Sequence, residues 1–190
     1  MTLALVVPTV ELRTAWLEAH DDWGPGLHED GFGLGATDDV GSPEGFAAWI
    51  ERLTARSGRS TCRWIVEDER VQGGIALRHE LDERTGHLGY GIRPSARGRG
   101  LATWALGGML DIARRRGLPR LLLVCADGNL ASAKTIEHNG GVLDEIRRTE
   151  QGSVRRYWIE LDAPGPDATR QPPPGHPHSL DRGSGQEVDQ

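Results

Sequence analysis

Apolar positions change their spacing along this chain, and the changes mark out successive strands and helices. Residues 2–7, Thr-Leu-Ala-Leu-Val-Val, are a short apolar run and predict a strand. From 9 to 20, Val10, Leu12, Ala15, Trp16 and Ala19 fall at helical spacing. Ser42-Pro43-Glu44 puts serine at a cap and proline at the first helical position, so a helix is expected to about Ala55, burying Phe46, Ile50 and Leu53. Residues 62–68 and 72–79 read as two strands joined by a polar turn at Asp68-Glu69-Arg70. Residues 86–94 form another strand, stopped by Pro94. Over 101–116, the row Leu101, Ala105, Met109, Ile112 runs beside the row Ala102, Leu106, Leu110, Ala113, which makes one buried helical face. Gly117 and Pro119 end that helix. Residues 120–126 are continuously apolar, as in a strand buried on both faces. A short helix over 131–139 ends at Gly140-Gly141, and strands over 142–148 and 153–161 flank a turn at Gln151-Gly152. Strand, helix and buried strand across 86–125 make a β-α-β unit, so an α/β fold with part of its sheet parallel is expected.

This pattern stops at residue 162. Beyond it, residues 163–190 hold six of the chain's 11 prolines and few large apolar side chains, too little to offset the entropy of ordering. The expectation is one domain over 1–162, a length ample for a core, followed by a disordered Pro/Gly-rich tail. His176 and His178 in that tail have no third ligand nearby and read as solvated. The net charge of −6 argues against a general nucleic-acid or membrane-surface binder. The apolar N-terminus lacks a basic flank and breaks at Pro8, so it is neither a signal core nor a span, and a cytoplasmic protein is expected. Cys62 and Cys125 have neither CxxC spacing nor metal-ligating neighbours; they read as two buried thiols, and no metal site is expected.

The segment Ser95-Ala-Arg-Gly-Arg-Gly-Leu-Ala102 lies between a strand and the start of the β-α-β helix. The first N–H groups of a helix lack acceptors and carry partial positive charge. Gly98 and Gly100 remove side chains that would hold an anion off those donors, and Arg97 and Arg99 add charge. A phosphate or pyrophosphate suits this position. The spacing matches neither common nucleotide-binding motif. A tight strand-to-helix turn with exposed arginines explains the same residues equally well.

Arg97-x-x-Gly100-x-Ala102 resembles the [Q/R]-x-x-G-x-[G/A] signature of the GCN5-related N-acetyltransferases (GNAT). Asn129, Ser132, Ile136 and Gly140 are spaced like that family's second signature, N-x-x-[A/S]-x-x-x-Y-x-x-x-G. The likeness is closest to a bacterial subgroup of predicted acetyltransferases with GHxGYGIRPS and NxxSxxxIxxNGG, and it covers residues 60–161 well. The first 60 residues match only in layout. The resemblance implies a mixed central sheet of six to seven strands flanked by helices. Its fourth and fifth strands splay apart, leaving a slot for the pantetheine arm of acetyl-coenzyme A. It implies that Ile92 and its backbone pair with that arm. The N–H groups of Arg97, Gly98, Arg99, Gly100, Leu101 and Ala102 hold the pyrophosphate, and Asn129 touches the arm or orders the turn. Simple helix capping accounts for Asn129 and Ser132 as well.

The chemistry implied is direct attack of a neutral amine on the thioester, helped by positioning, by a base and by a polarising N–H. The usual tyrosine position is Ile136, so no hydroxyl stands there to protonate the thiolate. His87, Glu80 and Ser132 are the candidates for chemistry, with His79 and Glu67 as further bases; His87 stands roughly where the family often has glutamate. A half-buried strand histidine explains His87 equally. Cys125 is read as a small buried thiol rather than an acyl carrier.

For the acceptor, the loop between the first two helices carries Asp21, Asp22, Glu29, Asp30, Asp38 and Asp39, with Trp23 and Phe32 between them and no lysine or arginine from 14 to 51. That favours a small cationic amine, although a solvated acidic loop reads the same way. Two alternatives stay open: a non-catalytic acyl-coenzyme A sensor, and an acyltransferase fed by another carrier such as aminoacyl-tRNA, for which residues 113–120, Ala-Arg-Arg-Arg-Gly-Leu-Pro-Arg, offer a basic patch. A homodimer is compatible with all three.

Overall fold

The computed structural model describes residues 2–24, 32–55 and 58–161. The expected C-terminal tail and part of the acidic loop, including Glu29 and Asp30, lie outside them. Seven strands and four α-helices follow in order: β1 Leu3–Val6, α1 Arg13–Trp23, α2 Pro43–Ala55, β2 Ser60–Glu67, β3 Arg70–Arg78, β4 Leu88–Ile92, α3 Leu101–Arg115, β5 Arg120–Ala126, α4 Leu130–His138, β6 Val142–Thr149 and β7 Gly152–Glu160. A short 3-10 turn, Val10–Leu12, replaces the start of the first expected helix, which continues instead to Trp23. Ser42 caps α2 as its sequence suggests: its Oγ accepts the Gly45 N–H at 3.0 Å.

The strands form two sheets, β1-β2-β3-β4 and β5-β7-β6, and every ladder in both is antiparallel. The parallel ladder expected from the β-α-β unit does not form. β4 and β5 meet only at the bridge Gly86–Leu123, beside a His87 N–H bond to the Leu122 carbonyl at 2.8 Å. That contact joins the beginning of β4 to the first half of β5, and the strands part from there. Gly86 is required at this junction. Its φ is 74°, and an added Cβ would stand 2.5 Å from the Leu122 carbonyl oxygen.

Two apolar clusters cover opposite parts of the fold. One gathers Ile75, Leu77, Leu106, Met109, Leu121, Leu123, Tyr157 and Ile159 between the sheets and α3 and α4. The other packs α1 and α2 on β2 and β3 through Trp16, Phe46, Trp49 and Trp64, all essentially buried. Their rings meet at tilted and edge-on angles, apart from the stacked Trp49 and Trp64, with Trp16 and Trp49 centroids 4.8 Å apart. Trp64→Ala is expected to cost about 3–5 kcal/mol, the usual range for a buried aromatic. Urea denaturation would read this as a lower midpoint at nearly constant slope. No helix among the described residues is long and apolar enough to cross a membrane.

Candidate active site

β4 ends at Ile92, and Pro94–Ala96 make a single 3-10 turn into Arg97-Gly98-Arg99-Gly100. Gly98 and Gly100 take φ values of 75° and 78°, and a Cβ on either would meet nothing within 4 Å. This left-handed pair turns the backbone outward at the head of α3. The N–H groups of residues 98–103 donate to no acceptor among the described residues, while Arg97 N–H closes the turn on Pro94 and Trp104 N–H begins the helix on Gly100. The result is a run of six N–H donors at a helix N-terminus with no acceptor among the described residues. The arginines do less than the sequence suggests. Arg99 lies across Glu67 at the end of β2, its NH2 2.8 and 2.9 Å from the two carboxylate oxygens. Arg97 Nε folds back onto the Ile92 carbonyl at 3.0 Å. The donor array is therefore mainly backbone.

Beside this loop an open groove of about 970 Å3 runs between α3 and α4. Gly100, Thr103, Trp104, Lys134, His138 and Asn139 are among its lining residues. It offers the partly exposed indole of Trp104 and the chain's one lysine.

Past the loop, the gap between β4 and β5 is closed at one end and open at the other. His87 closes it twice. Its N–H donates to Leu122, and its Nδ1 accepts the Leu122 N–H at 2.9 Å. The side chain thus supplies the acceptor that a neighbouring strand would normally give. His87 is 7% exposed, and burial pulls its pKa below the ordinary histidine value. It is a neutral clamp whose bonded nitrogen is already used, which argues against the role of base assigned to it by sequence. His79 is also engaged, Nε2 with Thr61 Oγ1 at 2.9 Å and Nδ1 with the Gly58 carbonyl at 3.2 Å. Glu80 is exposed beyond the end of β3 and bonds to none of the residues around the gap.

Of the three residues expected to carry chemistry, His87 closes one end of the gap and Ser132 stands beside Tyr90 on β4. Asn129 caps α4, its Oδ1 accepting the Ser132 N–H at 3.1 Å. Ser132 Oγ then lies 2.8 Å from the Tyr90 hydroxyl of β4. One serine on α4 therefore reaches across to β4. Burial, the largest influence, raises the Tyr90 pKa to about 12, and burial likewise raises that of Cys125. Ile136 is 1% exposed within the apolar core, so its side chain offers no proton donor. Tyr90 was not singled out by sequence; one signal was available, since it is one of two tyrosines in the chain and stands on the strand leading to the loop.

The acidic loop is largely engaged with its own chain. Asp22 Oδ2 accepts from Arg93 Nε at 2.8 Å and from Ser95 Oγ at 2.7 Å. Asp38 pairs with Arg52, and Asp39 accepts from Ser42. Two of the four arginines of the basic patch are engaged as well: Arg114 bonds Asp111 at 2.8 Å, and Arg120 lies over the Trp158 ring at 4.2 Å.

A two-sheet α/β domain with a donor loop at one helix head and a gap between its two middle strands is the layout that the motif resemblance implies for a coenzyme A-dependent acyltransferase. The sequence model of the acetyltransferase (GNAT) domain family matches residues 30–142, and the chain belongs to that family. It is an acetyltransferase, with acetyl-coenzyme A as acyl donor. No curated protein matches the sequence. Among solved structures the chain is similar to RimL, a ribosomal L7/L12 α-N-protein acetyltransferase, in complex with coenzyme A, at 18% identity and TM-score 0.68 over 86% of this chain and 96% of that one. It is also similar to the Mycobacterium smegmatis RimJ in complex with coenzyme A disulfide, at 18% identity and TM-score 0.67 over 83% and 81%. A third likeness is the microcin C7 self-immunity acetyltransferase MccE in complex with acetyl-coenzyme A and AMP, at 13% identity and TM-score 0.63 over 84% and 92%.

Proposed function

We propose that the chain acetylates the α-amino group of a polypeptide, or another primary amine of similarly low basicity. The observation that carries the reading is the run of six N–H groups from Gly98 to Thr103 at the head of α3, which have no acceptor among the described residues. These donors hold the pyrophosphate of the coenzyme, with Arg97 beside them. The groove lined by Trp104, Lys134 and His138 takes the nucleotide end, and the gap between β4 and β5, bordered by Ile92, takes the pantetheine arm. The coenzyme supplies an activated acetyl thioester there. Asn129 caps α4 and so fixes Ser132, whose hydroxyl gives the departing sulfur its proton.

The choice of acceptor follows from what stands at the gap. Among the described residues, His87 is a clamp, His79 is bonded elsewhere, Glu67 pairs with Arg99 and Glu80 lies apart, so none of these four bases is free at the gap. An α-amino group has a pKa of about 7.7–8.0, so roughly one molecule in seven is neutral at pH 7; for a lysine-type amine at about 10.4 it is on the order of one in 2,500. A site without a seated base favours the first kind. The name of RimL, a protein α-N-acetyltransferase, supports the same choice. A small polycation has less support from three of the acids, because Asp22, Asp38 and Asp39 are bound within the chain. The test is thiol release from acetyl-coenzyme A with a panel of short peptides bearing free N-termini, set against polyamines and aminoglycosides. Turnover is expected with the peptides, with the acetyl group found on the α-nitrogen by mass spectrometry. Turnover of the polycations alone would replace this reading with the small-cation one.

A further inference from the structure

The bond between Tyr90 and Ser132 joins the two sides of the gap. Tyr90 comes from β4 and Ser132 from the first turn of α4, and their hydroxyls are 2.8 Å apart. The Tyr90 oxygen also lies 3.4 Å from the Ser132 carbonyl. Both residues are half-buried, and Tyr90 packs against the apolar core that includes Ile136. A half-buried phenol bonded to both oxygens of one serine has a preferred orientation, because turning away leaves polar groups less well paired.

We propose that Tyr90 is a positioning residue that works through Ser132: it orients the serine hydroxyl toward the sulfur and replaces its proton as the thioester breaks. The inference rests on the reading of Ser132 as proton donor. In that step the C–S bond breaks with its electron pair on sulfur. Ser132 Oγ gives its proton to the sulfur and takes the phenolic proton of Tyr90. The phenolate then regains a proton from solvent, which has received the one lost by the acylated amine. Protons and charge balance, and no other reactant is needed.

The relay has a physical advantage over a lone serine. A serine that gave up its proton alone would be left as an alkoxide, a far stronger base than a phenolate. With Tyr90 behind it, the charge rests on a phenol of pKa about 12. Burial that raises the phenol pKa also keeps Tyr90 protonated at neutral pH, ready to donate. The hydroxyl that Ile136 lacks is thus brought from the strand opposite α4.

Tyr90→Phe keeps the ring and its packing and removes only the hydroxyl. With acetyl-coenzyme A and the amine that turns over fastest in the panel above, Tyr90→Phe and Ser132→Ala are each expected to lower kcat roughly tenfold or more. The KM for acetyl-coenzyme A and the calorimetric Kd of coenzyme A should change less than threefold, with unaltered circular dichroism. The decisive measurement is the double variant. Because Tyr90 acts through Ser132, Tyr90→Phe should have no further effect once Ser132 is alanine, and Ser132→Thr should restore both kcat and sensitivity to Tyr90→Phe. A slow Ser132→Ala beside a full-speed Tyr90→Phe would overturn the relay alone. Equal losses from Tyr90→Phe in both backgrounds would overturn it too, by reducing Tyr90 to packing. A full-speed Ser132→Ala would remove the proton-donor reading and the relay together.

Discussion

Replacing Gly100 by glutamate is expected to abolish coenzyme A binding while leaving the fold intact. Gly100 has φ 78°, and its Cβ direction opens onto space free of protein atoms. A side chain there fits sterically but pays a left-handed backbone penalty of about 1–2 kcal/mol. Gly100→Ala carries that penalty alone and is the necessary control. Glutamate adds a carboxylate among six N–H donors, where it takes the donors for itself and repels a pyrophosphate. Calorimetry should show weakened binding in Gly100→Ala and none in Gly100→Glu, with similar melting temperatures for the two. If both bind the coenzyme equally well, the segment is a strand-to-helix turn and nothing more.

That segment was legible in the sequence because its chemistry is local. Two glycines, a strand before and a helix after are enough to predict free donors at a helix head. Helix faces and strand runs were legible for the same reason, and most boundaries agree within two residues. What the sequence hid depends on contacts between distant segments. The β-α-β pattern gives the crossover from β4 to β5, but whether the two strands pair is decided by backbone register at Gly86 and His87. His87 looked like a base because histidine titrates near neutrality. Its Nδ1 meets the Leu122 N–H only because the seam is closed there. Arg99 looked like an anion ligand, and Glu67, 32 residues away, claims it. Asp22 looked like part of a cation site for the same reason: nothing local announces Arg93 as its partner.

The Asp22–Arg93 contact has the second large expected effect. Arg93 is 6% exposed and sits between the end of β4 and the turn that enters the donor loop. Its N–H holds the Gln72 carbonyl at 2.8 Å, and its guanidinium reaches Asp22 at 2.8 Å and Glu18 at 3.4 Å on α1. Ser95, two residues on, donates to the same Asp22 oxygen through both its N–H and its hydroxyl. One carboxylate on α1 therefore fixes both ends of the bend from which the loop departs. The hydrogen bond from Arg93 is the main reason that the Asp22 pKa falls from 3.8 to about 2, with the Ser95 bonds adding to it. A carboxyl group whose pKa is lower in the folded state stabilises the fold fully above its unfolded value and loses that contribution as pH falls through the folded value. Thermal melts should therefore show a component lost between pH 3.8 and about 2 that is absent in Asp22→Asn. Arg93→Met keeps the buried stem but leaves Asp22 and Glu18 without their shared cation. It is expected to lower Tm by several degrees at pH 7 and to weaken coenzyme A roughly tenfold or more through misplacement of the loop, although Arg93 bonds only to its own chain. Asp22→Asn, which retains an acceptor for Ser95, should weaken coenzyme binding less. Coenzyme affinity unchanged in Arg93→Met, despite a lowered Tm, would mean that the donor loop holds its shape without support from α1.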